Sequence, residues 1–273
     1  MSEAHSLYQA ARACLLCDSV DQKLAMTEQV ARAWEKGELL LSGWTPADHI
    51  TLAGHPERPE LVSPNHLPRR RLGSEEGRLA MIHAITHIEF NAINLAWDAV
   101  QRFPDLPPYF YNDWIQVARE EVEHFCLLRK RLQAGGIDYG DFPGHNGLWE
   151  MAMRTANDPL VRMALVPRML EARGLDVTPG IMQRFQSIND HQTVQALEVI
   201  LREEVGHVKF GSHWFSYLCL QRGLDPEETY FDLIQSYLSG EIHCPLHHQA
   251  RLDAGFSQKE LQRLEVLCKQ HES

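Results

Sequence analysis

The chain has 273 residues with 26 Lys and Arg against 37 Asp and Glu, a formal net charge of −11, so it lacks the basic surplus of a general nucleic-acid binder. At 44% hydrophobic and 23% charged residues it has the composition of a globular protein, and no apolar run approaches the ~20 residues that span a bilayer. The first residues, MSEAHSLYQAARACLL, show no basic stretch followed by an apolar one, so a cytoplasmic location and no membrane partner are expected.

The pattern is helical almost throughout and predicts an all-α protein, a single domain over residues 1–273. Residues 3–40 read as two peripheral helices. Residues 42–73, rich in Pro, Gly and His, read as a long irregular segment that wraps the surface or lines a site. The first core helix is expected over 74–103, capped by Ser74, with Glu75 and Glu76 favoured in its first turn by the helix dipole, and stopped at Pro104. The second is expected over 109–134, ending on Gly135-Gly136, and a short helix over 148–156. The third, over 159–173, is capped by Asp158, ends before Gly174 and should be kinked by Pro167; a short helix follows Thr178-Pro179. The fourth is expected over 190–221, and 226–239 and 257–270 read as further peripheral helices.

Each core helix has an apolar stripe at helical spacing, and each stripe carries a glutamate: Glu89, Glu121, Glu171 and Glu204. Burying an ionised carboxylate is costly unless it is paired. Four of them, one per helix, have a common explanation in a cationic centre. Glu121-Val-Glu-His124 and Glu204-Val-Gly-His207 are both E-x-x-H, a spacing that turns an α-helix by ~300° and leaves both side chains on one face. Glu89 precedes Glu121 by 32 residues and Glu171 precedes Glu204 by 33, so the pattern occurs twice, as two helical hairpins would arrange it. Di-iron and di-manganese carboxylate bundles use this donor set. Glu120 and Glu203 stand four residues before the same histidines, but fall at the edge of the stripe.

The segments HIEFNAINLAWDA, FYNDWIQVAREEVEHFCLLRKRL, YGDFPGHNGLWE, VPRMLEARGLDVTPG and ILREEVGHVKFG resemble a bacterial ferritin-like family of unknown function, over roughly residues 5–250. More broadly they resemble the ferritin-like superfamily of rubrerythrin, ferritin and the bacterial di-iron oxygenases. The resemblance implies a four-helix bundle with extra N- and C-terminal helices, and two iron ions, alternatively manganese or a mixed pair, held by Glu89, Glu121, His124, Glu171, Glu204 and His207. The expected activity is that of an oxidoreductase activating O2 or peroxide on a small-molecule substrate. The alternatives are metal storage or detoxification and a tRNA-modifying di-iron hydroxylase, for which Arg69-Arg70-Arg71 is the only support. The long additional segments suit a substrate site or a homodimer interface better than a storage shell.

Other residues read as structural. His83 and His87 lie ~240° and ~160° around the helix from Glu89. Cys14-Leu-Leu-Cys17 reads as buried thiols, and six scattered cysteines imply no disulfide framework. His243-Cys244-Pro-Leu-His247-His248 reads as a terminal loop. Tyr139, Asp141, His145 and Trp149 occupy a loop that gates access or packs. Asp113 and Asp190 are candidates to orient the histidines, and Arg173 to offset carboxylate charge.

Overall fold

The computed structural model describes residues 5–47, 50–67, 72–238, 242 and 244–271, and the Arg69–Arg71 run and His243 lie outside them. Among the described residues the protein is helical apart from an isolated Leu61–Gly144 bridge and a pair of two-residue strands, β1 (His5–Ser6) and β2 (Leu39–Leu40), which run parallel and were not expected from the sequence. No helix among the described residues is long and apolar enough to cross a membrane. The chain divides into two compact units, Met1–Met153 and Arg154–Ser273.

In the first unit, α1 (Leu7–Leu16) and α2 (Val20–Glu35) pack on each other and on the long hairpin of α3 (Glu75–Arg102) and α4 (Pro108–Ala134). The chain reaches α5 (Gly147–Arg154) through a loop after α4. Both hairpin helices lie within one residue of the expected bounds, because their ends are chemically marked. Ser74 Oγ accepts from Gly77 N at 3.1 Å, and α4 ends where Gly136 adopts φ +80°. Every residue from Glu89 to Arg102 is buried, so the C-terminal half of α3 is enclosed on all sides and its polar groups must find partners within the protein. Asp98 and Arg102 pair at 2.7 Å, and Trp97 Nε1 donates to Thr27 Oγ1 at 2.9 Å, tying α3 to α2.

Lys23 is fully buried on α2. Its Nζ donates to the carbonyls of Cys14 and Leu15 at 2.9 and 3.0 Å, closing the C-terminal end of α1, and to Asn94 Oδ1 of α3. Burial holds its pKa down, at about 8. Below pH 8 the amine is protonated whether the chain is folded or not. Between pH 8 and the unfolded value near 10.5, only the unfolded chain keeps the proton, so this residue's contribution to stability grows with pH. The stability difference between wild type and Lys23→Met should therefore be flat below pH 8. Above it, the difference should shift toward wild type by about 1.4 kcal/mol per pH unit, as read by urea unfolding. A flat difference through pH 10 would contradict this account.

In the second unit, α6 (Pro159–Leu165) runs into a π-helical segment, Val166–Glu171, and then into α7 (Ala172–Ser187). These pack on α8 (His191–Gln221), and α9 (Pro226–Tyr237), α10 (His248–Asp253) and α11 (Gln258–His271) complete the unit. The expected distortion at Pro167 is present as the π segment. The expected end near Arg173 is not, because the helix continues through Gly174 and Pro179 to Ser187. Packing on α8 outweighs these local breakers, and Leu175 and Phe185 are both fully buried.

One disulfide joins Cys244 to Cys268, Cα–Cα 6.1 Å, a pairing that the scattered cysteine spacing did not disclose. Cys14 is buried, as expected, and burial pushes its thiol up to about 12. After Pro245 the chain does not stay a loop. His247 Nδ1 accepts from Ala250 N at 3.1 Å and so caps α10, and His248 pairs with Glu265 at 2.7 Å.

Candidate metal centre

The first unit brings Glu89, Glu121 and His124 together. Each offers a donor atom within 4.8 Å of the others. His124 Nδ1 lies 3.3 Å from Glu89 Oε2 and 3.3 Å from Glu121 Oε2. All three side chains are buried: Glu89 is 4%, Glu121 1% and His124 0% exposed. Burial raises the Glu89 carboxyl's pKa, and the neighbouring Glu121 charge raises it further. Burial pulls His124 down, but hydrogen bonding and attraction from Glu121 and then Glu89 outweigh it and raise it. Two carboxylates enclosed at this distance call for positive charge, and the group obtains it from a proton or from a cation.

Aromatic packing fixes the cluster's helices. Phe90 and Phe125, the neighbours of Glu89 and His124, lie 5.7 Å apart between ring centroids, and Tyr139 contacts both at 5.2 and 5.1 Å. The Tyr139 hydroxyl lies 2.8 Å from His87 Nδ1, and His87 Nε2 lies 3.0 Å from the His145 carbonyl. His83 Nε2 accepts from Gly140 N at 2.9 Å. A Cβ at Gly144 would meet the His87 ring at 2.6 Å, so only glycine lets the loop close on it. His83, His87 and Tyr139 thus bind the loop to α3. In the same loop Asp141 accepts from Asp138 N, whereas Trp149 lies on α5 rather than in the loop, and its Nε1 donates to Thr51 O at 2.9 Å.

The second unit carries Glu171, Glu204 and His207. His207 Nδ1 lies 3.3 Å from Glu204 Oε1, the same atom of the histidine at the same distance from the glutamate three residues before it as in the first unit. His207 is buried, whereas Glu204 and Glu171 are only half-buried, so two of the four stripe glutamates are less enclosed than their spacing suggested. Glu171 ends the π segment. That segment is wedged in place: a Cβ at Gly211 of α8 would stand 2.6 Å from Pro167 Cβ and Cγ. Arg168 points into an aromatic cage formed by Tyr230, Phe256 and Phe215, with centroids 4.3, 4.5 and 5.3 Å from its guanidinium carbon. It pairs with Glu260 at 2.7 Å, and Tyr230 Oη donates to the Arg168 carbonyl at 3.2 Å. None of this support was read from the sequence. Its one legible trace was Ser257-Gln-Lys-Glu260, a capping box in which Ser257 N donates to Glu260 Oε2 at 2.7 Å and Glu260 N to Ser257 Oγ at 3.1 Å.

The edge glutamates turn to other work. Glu120 accepts from Gln116 Nε2 at 2.8 Å, and Glu203 pairs with Arg202 at 2.8 Å. Asp190 caps α8 by accepting from Thr193 N and Oγ1. Asp113 is half-buried on α4, and Arg173 is exposed on α7.

The family model described as "Protein of unknown function (DUF455)" matches residues 16–262. The chain belongs to that family. A Haemophilus influenzae protein described as uncharacterized is 46% identical over 223 residues, covering 79% of this chain and 77% of that protein. No solved structure matches the chain. All six glutamates and histidines of the two Glu/His groups lie inside the part matched by the DUF455 model.

Proposed function

We propose that the two Glu/His groups bind two first-row transition-metal ions, and that the protein is a dinuclear iron or manganese oxidoreductase of the ferritin-like kind. Glu89, Glu121 and His124 would serve one ion and Glu171, Glu204 and His207 the other. The observation that carries the reading is the repeated pair, histidine Nδ1 at 3.3 Å from the glutamate three residues before it, once in each unit. The doubled E…E-x-x-H order supports it, as does the burial of the Glu89 and Glu121 carboxylates beside His124. Carboxylate and imidazole donors suit iron and manganese better than copper(I), which prefers sulfur.

The bound ions would supply electron transfer toward O2 or peroxide. The chain's own residues supply the rest. Phe125 packs on Tyr139 and so helps to fix the stretch of α4 that presents His124 to the carboxylates. The buried first group excludes bulk water. The π segment gives the chain an irregular turn at Glu171, and such turns frequently mark functional sites.

The test is to load the full chain with Fe(II) or Mn(II) without oxygen, then add O2 or peroxide and follow oxidation by absorbance. Oxidation much faster than that of the same free metal, repeated after re-reduction, is expected. A rate equal to that of the free metal with both oxidants would overturn the oxidoreductase reading.

A further inference from the structure

A small, mostly apolar cavity lies in the second unit, on residues outside the Glu/His groups. It is a cavity of about 60 Å³ against the π segment and α7, walled by Met169, Leu170, Leu238 and Ile242. Three charged side chains complete it: Arg173, Asp176 and Arg251. Asp176 is already engaged. Its Oδ1 accepts from Arg251 Nε at 2.9 Å and from His247 N at 2.8 Å, and its Oδ2 from Arg251 Nη2 at 2.6 Å. That leaves a positive surplus.

The surplus is one charge, on Arg173, because Asp176 offsets Arg251, whose guanidinium carbon also lies 5.0 Å from the Phe256 ring centroid. Arg251 is only 2% exposed, and its third nitrogen, Nη1, is buried with no hydrogen-bond partner. A buried guanidinium N–H without an acceptor is costly, and native interiors seldom leave one so. Arg173 stands exposed at the same cavity and makes no ion pair among the described residues. Two guanidinium groups beside four apolar side chains, with the local acid already neutralised, match one ligand chemistry: a carboxylate head on a short aliphatic chain.

We propose that this cavity binds a small aliphatic carboxylate, its head between Arg173 and Arg251 and its chain on Met169, Leu170, Leu238 and Ile242. The site stands on its own observations and does not require the metal reading. Because Met169 and Leu170 belong to the segment that ends at Glu171, an occupant presses on the turn that presents that glutamate.

Calorimetric titration of the full chain with sodium hexanoate tests this, with hexanamide as the uncharged control. Saturable hexanoate binding with a Kd of roughly 0.1–10 mM is expected, with hexanamide at least ~10-fold weaker. Arg173→Gln should weaken hexanoate by ~10-fold and leave hexanamide unchanged, and because Arg173 is exposed the variant should melt as the wild type does. Equal binding of acid and amide, an unchanged Kd in Arg173→Gln, or no saturation by ~50 mM would each overturn the assignment. The oxidation assay on Arg173→Gln keeps the two readings apart, since loss of hexanoate binding with metal oxidation retained removes only the carboxylate site.

Discussion

His124→Ala should lose one of two bound metal ions, and His207→Ala should lose the other. His124 Nδ1 faces two carboxylates at 3.3 Å, so the substitution removes the only neutral donor of a group whose other two members are both acids. Loss of a partner that merely orients a ligand weakens metal binding by ~10–100-fold, and loss of the ligand itself should exceed that. Two buried carboxylates without the imidazole should then hold protons rather than a metal ion, because burial already raises Glu89. Metal analysis of the desalted proteins is expected to fall from two ions per chain to one in each single variant and to none in the double. Glu120→Gln is the control, as that side chain bonds to Gln116 on α4. Retention of both ions in His124→Ala would contradict the ligand assignment.

Glu260→Ala should be among the most destabilising single changes in the second unit. Glu260 ends a buried ion pair with Arg168 at 2.7 Å, the two side chains 7% and 3% exposed, and also caps α11 through Ser257. Removing the acid strands a buried guanidinium, which costs about 3–5 kcal/mol, and opens the capping box for about 1 kcal/mol more. A fall in melting temperature on the order of 10 °C is expected by calorimetry. Arg168→Met combined with Glu260→Leu should recover part of the loss, because the cost lies in the unpaired charge rather than in the missing bond. A double variant less stable than Glu260→Ala would contradict that assignment. The same substitution loosens the π segment, since Arg168 is one of its six residues, so it should also weaken metal retention on the Glu171 side.

The hairpin of α3 and α4 was legible because its signals are local. Ser74, Pro104 and Gly135-Gly136 mark its ends, and the apolar stripe of α4 that carries Glu121 is buried. The third helix was misread because Gly174 and Pro179 are local breakers, whereas the continuation depends on tertiary packing against α8. The same limit hid the Cys244–Cys268 bond and the Arg168 cage with its ion-pair partner Glu260, which lies 92 residues from Arg168. Within the candidate centre, the E-x-x-H pairs were readable because three residues along a helix is a geometric statement. The partial exposure of Glu171 and Glu204 was not, because it depends on what covers the stripe.

The most direct measurement of the central claim is the metal content of the full chain, purified from its natural host without chelators, together with X-ray absorption at the metal edge. The account predicts about two iron or manganese ions per chain, with oxygen and nitrogen neighbours and a second metal at ~3.5–4 Å. A folded chain carrying no metal, a single ion without a metal neighbour, or sulfur in the coordination shell would contradict it.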